Sequence, residues 1–314
     1  MADFLTVTLN PTVDVATWVD QLIDHEKLRC DKEVEQVGGG GVNVAQVLHW
    51  FGGQCQALLT AGGYRGQEIV HKLQEDGIDC LPVPITQTSR QCFTVYEKKA
   101  QHEYRFILPG PSLSDTEIDS VIAFILQHLP NKWLVLSGSL PVGVPDDFYA
   151  RVIKRARDLA PEIKFLVDAP GPILKHAIAA GVNLIKPSLK EFEWLTGQTL
   201  KNQSQRVGAA REYVTHGQIE CVALSLGAEG AIAVTKQEAL AAAALPVAVT
   251  STVGAGDSFA AALLWALSNN NNLHQALSIA TATAATALQT QGKLQFDAAA
   301  IKALSQEVVV TSVD

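Results

Sequence analysis

The sequence predicts an α/β fold in which a largely parallel sheet is covered by helices. From about Pro130 onward, short β-rich runs alternate with segments of helical period. The β-rich runs are apolar at consecutive positions, which is typical of strands that are buried on both faces. The chain has 314 residues, of which 47% are hydrophobic, so it can form one large core or two smaller ones.

The second part of the chain supplies most elements of this predicted sheet. Strands are expected at 133–137, 164–168, 183–186, 221–226 and 231–235. Helices are expected between these strands, near 146–158, 171–180, 189–196 and 204–217. Two Ala-rich helices should pack on the sheet or on each other, at 256–268 and 273–289. The Asn-rich segment between them is predicted to be a loop.

Only some segments of the first 110 residues continue this pattern. Core strands are expected at 5–9 and 56–60, with helices near 42–51 and 66–76. Four other segments alternate polar and apolar residues, as antiparallel strands with one solvated face do, namely 13–19, 28–37, 91–97 and 103–108. They predict a small sheet that is inserted into a single domain of residues 1–314, with strands from about 13–37 and 91–108. Such a sheet either covers a cleft or pairs with another subunit.

Charge and cysteine content exclude several classes of function. Lys and Arg number 24 against 32 Asp and Glu, and the net charge of −8 argues against a nucleic-acid or membrane-surface partner. The five cysteines form no CxxC pair, and the N-terminus has no signal-peptide pattern, so we expect a cytoplasmic protein. The longest apolar run, Ala239–Val249, is shorter than the ~18 residues that span a bilayer. An anionic ligand would need a local cluster of positive groups.

The segment Ser251–Ser258 reads STVGAGDS and leads directly into a predicted helix. Free N–H groups at a helix start attract phosphate or developing negative charge, and glycines let the backbone turn tightly. Asp257, in the first turn, is either a carboxylate that favours the helix dipole or a general base beside an anion hole. The second glycine and the preceding Thr-Val favour the general base.

A second glycine cluster, Gly38–Gly41, directly precedes another predicted helix. A run of glycines is often a flexible link, but before a helix it can also form an anion-binding loop. Neither cluster ends in the GKS or GKT of a Walker loop, and neither has the GxGxxG order of a dinucleotide-binding fold. The sequence therefore disfavours both of these nucleotide-binding folds.

Several motifs follow one another in a fixed order along nearly the whole chain. They are Thr8–Pro11 with Asp14, GGGGVNVA at 38–45, SGSLP at 137–141, Asp168 at a strand end, Lys186-Pro187 with Glu191, SLGAEG at 225–230, and STVGAGDS. In this combination the chain resembles the PfkB branch of the ribokinase-like carbohydrate kinases. The resemblance implies a three-layer α/β/α sandwich with a small β-sheet lid, and transfer of the ATP γ-phosphoryl group to a sugar hydroxyl with Mg²⁺.

Within this branch, NPTVD, SGSLP and STVGAGDS are similar to motifs of the phosphosugar kinases. The 1-phosphofructokinases and tagatose-6-phosphate kinases typically carry a Lys in the glycine loop, whereas this chain has Gly39–Gly41. The segments Lys27–Cys30 and Tyr104–Phe106 also resemble the minor bacterial 6-phosphofructokinases. The resemblance thus implies transfer to the 1-hydroxyl of fructose 6-phosphate. The alternatives are a 1-phosphofructokinase, a tagatose-6-phosphate kinase, or a catalytically weak sugar-phosphate or nucleotide sensor.

The resemblance also implies a role for individual residues. The catalytic groups would be the Asp257 base and the anion-hole N–H groups of Gly254, Ala255 and Gly256. The substrate-binding residues would be Asp14, Gly39, Gly40, Asn43, Arg90, Arg105 and Ser139. Both arginines would bind the 6-phosphate, with Arg90 reaching in from a partner subunit. The nucleotide-binding residues would be Lys27, Lys186, Ser188, Ser225, Gly227, Gly230 and Thr281.

Glu191 matches the acidic residue that organises Mg²⁺ in this family, usually through water. The residues alone explain Lys27, Arg105 and Glu191 as solvated surface groups just as well. The usual family motif is Asn-x-x-Glu, but Ser188 stands at the Asn position and lacks the reach of an amide. The resemblance further implies a homodimer that forms through the lid and covers its open strand edges.

Overall fold

The computed structural model describes residues 2–216, 219–290 and 296–313. Its strands are β1 (Phe4–Thr8), β2 (Thr12–Val19), β3 (Glu33–Gly38), β4 (Cys55–Gly62), β5 (Asp79–Ile85), β6 (Arg90–Glu97), β7 (His102–Phe106), β8 (Trp133–Ser137), β9 (Lys164–Asp168), β10 (Leu184–Ile185), β11 (Cys221–Ser225), β12 (Ala231–Val234), β13 (Ala239–Ala242) and β14 (Val310–Ser312). Its α-helices are α1 (Gly40–Trp50), α2 (Gly63–Glu75), α3 (Asp115–Gln127), α4 (Phe148–Leu159), α5 (Gly171–Ala179), α6 (Leu189–Thr196), α7 (Gln203–Thr215), α8 (Ala255–Ser268), α9 (Leu273–Leu288) and α10 (Ala298–Ser305).

The predicted parallel sheet forms the centre of the molecule. Among the described residues it is a 10-stranded sheet with the order β14-β13-β12-β11-β10-β9-β8-β1-β4-β5. The strands from β5 through β11 in this order pair in parallel, and β12, β13 and β14 continue the sheet antiparallel. All parallel strands therefore end at one edge, where ligands bind in open α/β sheets.

Strand β8 shows why the predicted strands are apolar at consecutive positions. Leu134 and Leu136 belong to a core with α3 to α7 on one face of the sheet. Trp133 and Val135 belong to a second core with α1, α8, α9 and α10 on the other face. Helices on both faces leave no solvated side for polar residues. The result is the three-layer α/β/α sandwich that the sequence predicted.

A second, four-stranded sheet has the order β3-β2-β6-β7, and we call these four strands the lid. The four segments predicted for a small sheet supply it, although the segment 28–37 becomes a strand only from Glu33 onward. The expectation that these strands are all antiparallel is wrong, because β2 and β6 pair in parallel. Only β2 with β3 and β6 with β7 are antiparallel. Alternating residues indicate one buried face but do not fix strand direction.

The two faces of the lid have different surroundings. Val13, Val15 and Val37 are buried in a small core that includes residues of α1 and α2. Because side chains alternate along a strand, Asp14 lies on the opposite face. The register brings Arg105 of β7 opposite Thr94 of β6, which lies on that same face. The lid thus packs on the sandwich through valines and carries charged groups on its other face.

Strand β5 was not predicted from the sequence. It contains Pro82 and Pro84, and proline is unfavourable inside a sheet because it lacks an N–H donor. The structure resolves this conflict by placing β5 at the edge of the large sheet. In the part of the chain that the structure describes, no helix is both long and apolar enough to cross a membrane.

Candidate active site

The two glycine clusters meet at one place. Helix α1 begins at Gly40, directly after Gly39 at a φ of 120°, and α8 begins after Gly254 at a φ of 75°. Positive φ values of this kind favour glycine. Helices α1 and α8 pack against each other, and the Asn43 side chain donates from Nδ2 to Asp257 Oδ2 over 2.7 Å. Two helix N-termini, each with free N–H groups, therefore lie beside the Asp257 carboxylate.

The electrostatic surroundings of Asp257 combine burial with nearby donors and cations. Burial raises the pKa of the Asp257 carboxyl, while the Asn43 amide, Lys186 and Arg105 act to lower it. Arg105 comes from the lid and Lys186 follows β10, so two separate parts of the fold contribute positive charge here. A carboxylate in this position can accept a proton, and the cations around it can stabilise transferred negative charge.

Lys186 is one of the few charged residues in the core, with 5% of its surface exposed. Its Nζ lies 3.2 Å from Asp168 Oδ2. A Cβ placed on Gly256 would lie 3.3 Å from the same Nζ, so the ammonium is next to the first turn of α8. Burial acts to lower the pKa of Lys186, but the nearby carboxylates, Asp168 first among them, outweigh it and raise the pKa. Lys186 thus carries its positive charge beside the anion-binding end of α8.

The lid brings Asp14, Arg90 and Arg105 near one another. Burial raises the pKa of Asp14, while the Thr12 hydroxyl and the guanidinium groups of Arg105 and Arg90 act to lower it. Gly38 lies against this carboxylate, because a Cβ at that position would overlap an Asp14 oxygen. Among the described residues, the Arg90 Nε is buried and has no hydrogen-bond partner. The two arginines act on Asp14 of their own chain and retain donors for an anionic group.

The SGSLP segment lies under the first glycine cluster. A side chain on Gly40 would collide with the Ser137 hydroxyl and would lie 3.2 Å from the backbone N of Gly138. The backbone of α1 therefore approaches the end of β8 closely only because Gly40 has no side chain. Ser139 Oγ accepts a hydrogen bond from Asn10 Nδ2 over 3.3 Å. This places Gly39, Gly40 and Ser139 near one another at the carboxyl edge of the sheet.

Ser188 and Glu191 form the N-terminal capping box of α6. The Glu191 Oε2 atom accepts from the backbone N and the hydroxyl of Ser188, each over 2.8 Å. The backbone N of Glu191 donates back to Ser188 Oγ over 3.3 Å. Serine at the family's Asn position thus keeps an N-cap, since both residue types cap helices well. The second oxygen of Glu191 is free of this cap, and Glu191 acts electrostatically on Asp168 and Lys186.

A cavity of about 660 Å³ lies between α8, α9 and the loops after β11 and β13. It is lined by four predicted nucleotide-binding residues, Ser225, Gly227, Gly230 and Thr281, and by Ala255 and Gly256 of α8. Most of its other lining is apolar, including Leu245, Val247, Phe259 and Leu288. One end of the cavity therefore reaches the N-terminus of α8, and the rest suits a flat apolar group.

A larger cleft of about 860 Å³ lies at the opposite edge of the sheet, around Lys164 and Asn183. Several of its polar groups are already engaged with one another. Lys164 Nζ lies 3.0 Å from Glu220 Oε2, Asn183 Nδ2 donates to Glu220 Oε1 over 2.8 Å, and Arg157 donates to the carbonyl oxygens of two neighbouring residues. None of the predicted site residues lines this cleft, and its network holds the strand starts together.

Sequence reasoning missed a residue on the lid face that carries Asp14 and Arg105. Tyr96 lies on the same face as Asp14, opposite Glu103 of β7, and its ring stacks on Trp18 at 5.4 Å between centroids. Burial raises the pKa of Tyr96, while the nearby Ser251 hydroxyl, at the start of STVGAGDS, acts to lower it. The spacing of Arg90 and Tyr96, an even number of residues on one strand, could have indicated this. Lys27, by contrast, is exposed between β2 and β3.

Comparisons with known proteins find relatives along nearly the whole chain. The ATP-dependent 6-phosphofructokinase isozyme 2 of Mycobacterium tuberculosis is 35% identical over 289 residues, which are 92% of this chain and 84% of that protein. The 1-phosphofructokinase of Haloferax volcanii is 32% identical over 310 residues, which are 98% of each chain. A crystal structure of phosphofructokinase-2 from Escherichia coli in complex with potassium is 32% identical, covers 98% of this chain and 99% of its own, and superimposes with a TM-score of 0.91. The ribokinase of Arabidopsis thaliana, at 18% identity and a TM-score of 0.75, shares the fold.

The family assignment covers nearly the whole chain. Residues 8–297 match the pfkB family of carbohydrate kinases. This span contains both glycine clusters, the SGSLP segment, the capping box of α6 and the first turn of α8. The sandwich and the small separate sheet are what the resemblance implied. The chain therefore belongs to the pfkB family of carbohydrate kinases.

Proposed function

We propose that this sugar-phosphate kinase transfers the γ-phosphoryl group of ATP to the 1-hydroxyl of fructose 6-phosphate. The observation that carries the proposal is the position of the Asp257 carboxylate, between two glycine-lined helix starts and within the electrostatic reach of Arg105. A substrate that fits such a site has a hydroxyl at one end and an anionic group at the other. A phosphosugar has both.

Asp257 accepts the proton of the attacking hydroxyl as the phosphoryl group moves to the oxygen. The N–H groups of Gly254, Ala255 and Gly256 stand at the start of α8 and face the charge that develops on the transferred group. Lys186, next to Gly256, adds a full positive charge at the same end of the helix. Removing one preorganised donor of this kind typically costs about 10²- to 10³-fold in kcat.

The sugar phosphate lies between the lid and the first glycine cluster in this proposal. The sugar hydroxyls contact Asp14, Gly39, Gly40 and Asn43, whose short polar groups give directional hydrogen bonds. Arg105 binds the 6-phosphate together with Arg90, which reaches in from a partner subunit as the family resemblance implies, because a planar guanidinium matches phosphate oxygens in bidentate fashion. Ser139 supplies a further hydroxyl at the end of β8, where Asn10 holds it.

The nucleotide occupies the cavity between α8 and α9. Its base and ribose pack among the apolar lining, with Ser225, Gly227, Gly230 and Thr281 around them. The triphosphate extends toward the N-terminus of α8, where Lys186 binds it, and Ser188 lies beside Ser225 in a short bridge. Lys27 contacts the phosphates only if the exposed segment between β2 and β3 folds inward over the site, since Lys27 is exposed here.

The acidic residues near Lys186 fit a magnesium ion that retains most of its water. No cluster of three or more His, Cys, Asp or Glu side chains suited to a metal occurs among the described residues. Mg²⁺ needs no such cluster, because it is usually held by one or two carboxylates and the substrate phosphates. The oxygen of Glu191 that the α6 cap leaves free can hold one of the waters. The ion then neutralises charge on the phosphates when it is bound.

The choice of fructose 6-phosphate rests on the glycine cluster and on the lid. The run Gly39–Gly41 carries no Lys, and a relative named 6-phosphofructokinase isozyme 2 is 35% identical. Relatives named 1-phosphofructokinase and tagatose-6-phosphate kinase also match, at 32% and 29% identity. These two activities are the alternatives. A 1-phosphofructokinase accepts a sugar that carries its phosphate at the other end, and a tagatose-6-phosphate kinase accepts a different ketose.

We further propose that two copies of the chain associate through the lid. The lid and its flanking segments expose large apolar side chains, namely Ile23, Leu28, Phe106, Ile107 and Leu108. Strands β3 and β7 are open edges of the lid sheet, and such edges are usually covered. A second copy supplies a self-complementary surface for both features. Sedimentation should show a dimer at micromolar protein, and a monomer there would contradict the proposal.

The isosteric variant Asp257→Asn tests the proposed chemistry. It keeps the size of the side chain but cannot take up a proton, so kcat should fall by at least ~10²-fold. Binding of fructose 6-phosphate, followed by calorimetry, should remain close to that of the parent. The parent should convert ATP and fructose 6-phosphate to fructose 1,6-bisphosphate, identified by ³¹P NMR. A variant that retains activity would remove Asp257 as the base.

A further inference from the structure

The Asn43 side chain lies in the first turn of α1 and donates from Nδ2 to Asp257 Oδ2 over 2.7 Å. From this contact we infer that Asn43 is a positioning residue for the general base. The inference rests on the proposed role of Asp257. It goes beyond the sugar-hydroxyl contact expected from the family resemblance, because one N–H of the amide already binds the Asp257 carboxylate, and the second N–H and the amide oxygen remain for a sugar hydroxyl. Asn43 thereby fixes which oxygen of Asp257 faces the substrate.

The two carboxylate oxygens of Asp257 have different roles in this geometry. Oδ2 is occupied by the Asn43 amide, so Oδ1 is the atom that takes the proton. Without the amide, the carboxylate could rotate about its χ2 angle and present either oxygen in several orientations. Misplacement of a reacting group by about 1 Å can cost 10²-fold in rate. The amide therefore contributes to kcat through Asp257.

The same contact acts on protonation. Among the groups that lower the pKa of Asp257 against the effect of burial, the Asn43 hydrogen bond is the largest, ahead of Lys186 and Arg105. Asp257 also acts electrostatically on Asp168, which lies beside Lys186. A hydrogen bond to the charged form of an acid favours that form. Loss of the amide should leave more of Asp257 protonated, and so inactive as a base, at neutral pH.

The decisive experiment compares pH–rate profiles of kcat/KM for the parent and for Asn43→Asp and Asn43→Ala. Asn43→Asp keeps the shape of the side chain but replaces the donor by a like charge, which raises the pKa of its neighbour. The acidic limb of the profile should move to higher pH in both variants, and further in Asn43→Asp. At neutral pH kcat should fall by about 10- to 100-fold. The fall in kcat should exceed any rise in the KM for the sugar phosphate, because the effect exerted through Asp257 concerns the transition state.

A matched control is Asn269→Asp, at the other end of the helix that carries Asp257. Among the described residues its Nδ2 donates to a backbone carbonyl, that of Trp265, and 12 residues of helix separate it from Asp257 by about 18 Å. This variant undergoes the same chemical change, and its profile should follow that of the parent. Thermal unfolding of all variants verifies that they fold, and Asn43→Ser provides a short donor that should restore part of kcat.

Three outcomes can be distinguished. A raised KM with unchanged kcat and an unmoved acidic limb in the Asn43 variants would overturn the inference and leave Asn43 as a sugar contact alone. A fall in kcat without a shift of the limb, not improved by Asn43→Ser, would also overturn it. The proposed function fails, and the inference with it, if the pH–rate profile of the parent has no acidic limb. The same holds if that limb is still present in Asp257→Asn.

Discussion

The buried Lys186 ammonium lies 3.2 Å from Asp168 Oδ2 at the carboxyl edge of the sheet. Burial raises the pKa of Asp168 to about 7, although Lys186 acts in the opposite direction. Below that pH, Asp168 is neutral and the Lys186 charge is available to a phosphate. Above it, ionised Asp168 competes with the phosphate for the same ammonium. With Lys186 as the proposed triphosphate contact, the pair is expected to couple nucleotide binding to pH.

This coupling predicts a pH dependence that Asp168→Asn should remove. As pH rises from 6 to 8 without Mg²⁺, the Kd of ADP for the parent should increase relative to that for Asp168→Asn. The change in the ratio should be about tenfold, equivalent to the ~1.5 kcal/mol of a charge-assisted hydrogen bond. Taking the ratio cancels the ionisation of ADP itself. A ratio that stays constant across this range would show that Asp168 does not compete for Lys186.

The capping box at Ser188 predicts an effect on metal dependence that a matched capping box should lack. Ser188→Ala removes the hydroxyl that holds Glu191 Oε2, so it should cost about 1 kcal/mol of stability and raise the Mg²⁺ concentration needed for half-maximal rate. Ser114→Ala disrupts the same kind of box at α3 and should cost similar stability without changing the Mg²⁺ response. Ser188→Asn should behave like the parent. Equal Mg²⁺ responses for the two alanine variants would remove Glu191 from the metal site.

The contact between Gly38 and Asp14 predicts a specific loss of sugar binding. A Cβ on Gly38 overlaps an Asp14 carboxylate oxygen, so Gly38→Ala should displace Asp14 and raise the KM for the sugar phosphate more than that for ATP. Gly208→Ala provides the control, because beyond its chain neighbours and the backbone of its own helix no described atom lies within 4 Å of a Cβ at that position. It should stabilise the protein by about 0.5–1 kcal/mol. A sugar KM unchanged in Gly38→Ala would place Asp14 outside the sugar site.

The lid arginines predict which end of the substrate is anionic. Arg105→Ala should raise the KM for fructose 6-phosphate by at least ~10-fold, since a charge-assisted contact to phosphate is lost. The KM for ATP should change far less. Arg151→Ala removes an arginine whose Nη2 lies 3.6 Å from Asp119 Oδ1 at the surface, and it should have little effect. Equal changes in the KM of both substrates would show that Arg105 does not bind the phosphate of the sugar.

Much of the fold could be predicted because its signals are local. The consecutive apolar residues of β8 predict a buried strand, and the glycines before α1 and α8 predict helix starts. Each of these elements lies where the sequence predicted it. Helix α3 was not predicted, although Ser114 and Glu117 form a capping box that the sequence pattern S-x-x-E signals. Strand β5 was missed because its prolines argue against a central strand and say nothing about an edge.

The site was predictable only in part, because several of its contacts join distant segments. The family resemblance listed Asn43 and Asp257 separately, and only the packing of α1 on α8 joins them. The parallel pairing of β2 with β6, on which the positions of Asp14 and Arg90 depend, has no local signal. From the sequence, Ser188 bears on metal or ATP binding, because serine lacks the reach of the family's Asn. The structure shows Ser188 capping α6 and holding Glu191.

The most direct test of the proposed function compares kcat/KM for fructose 6-phosphate, fructose 1-phosphate and tagatose 6-phosphate with saturating MgATP. A glycine cluster without Lys and a lid with two arginines predict the highest value for fructose 6-phosphate, with fructose 1,6-bisphosphate as product. A higher value for either of the other two phosphosugars would contradict the proposed substrate.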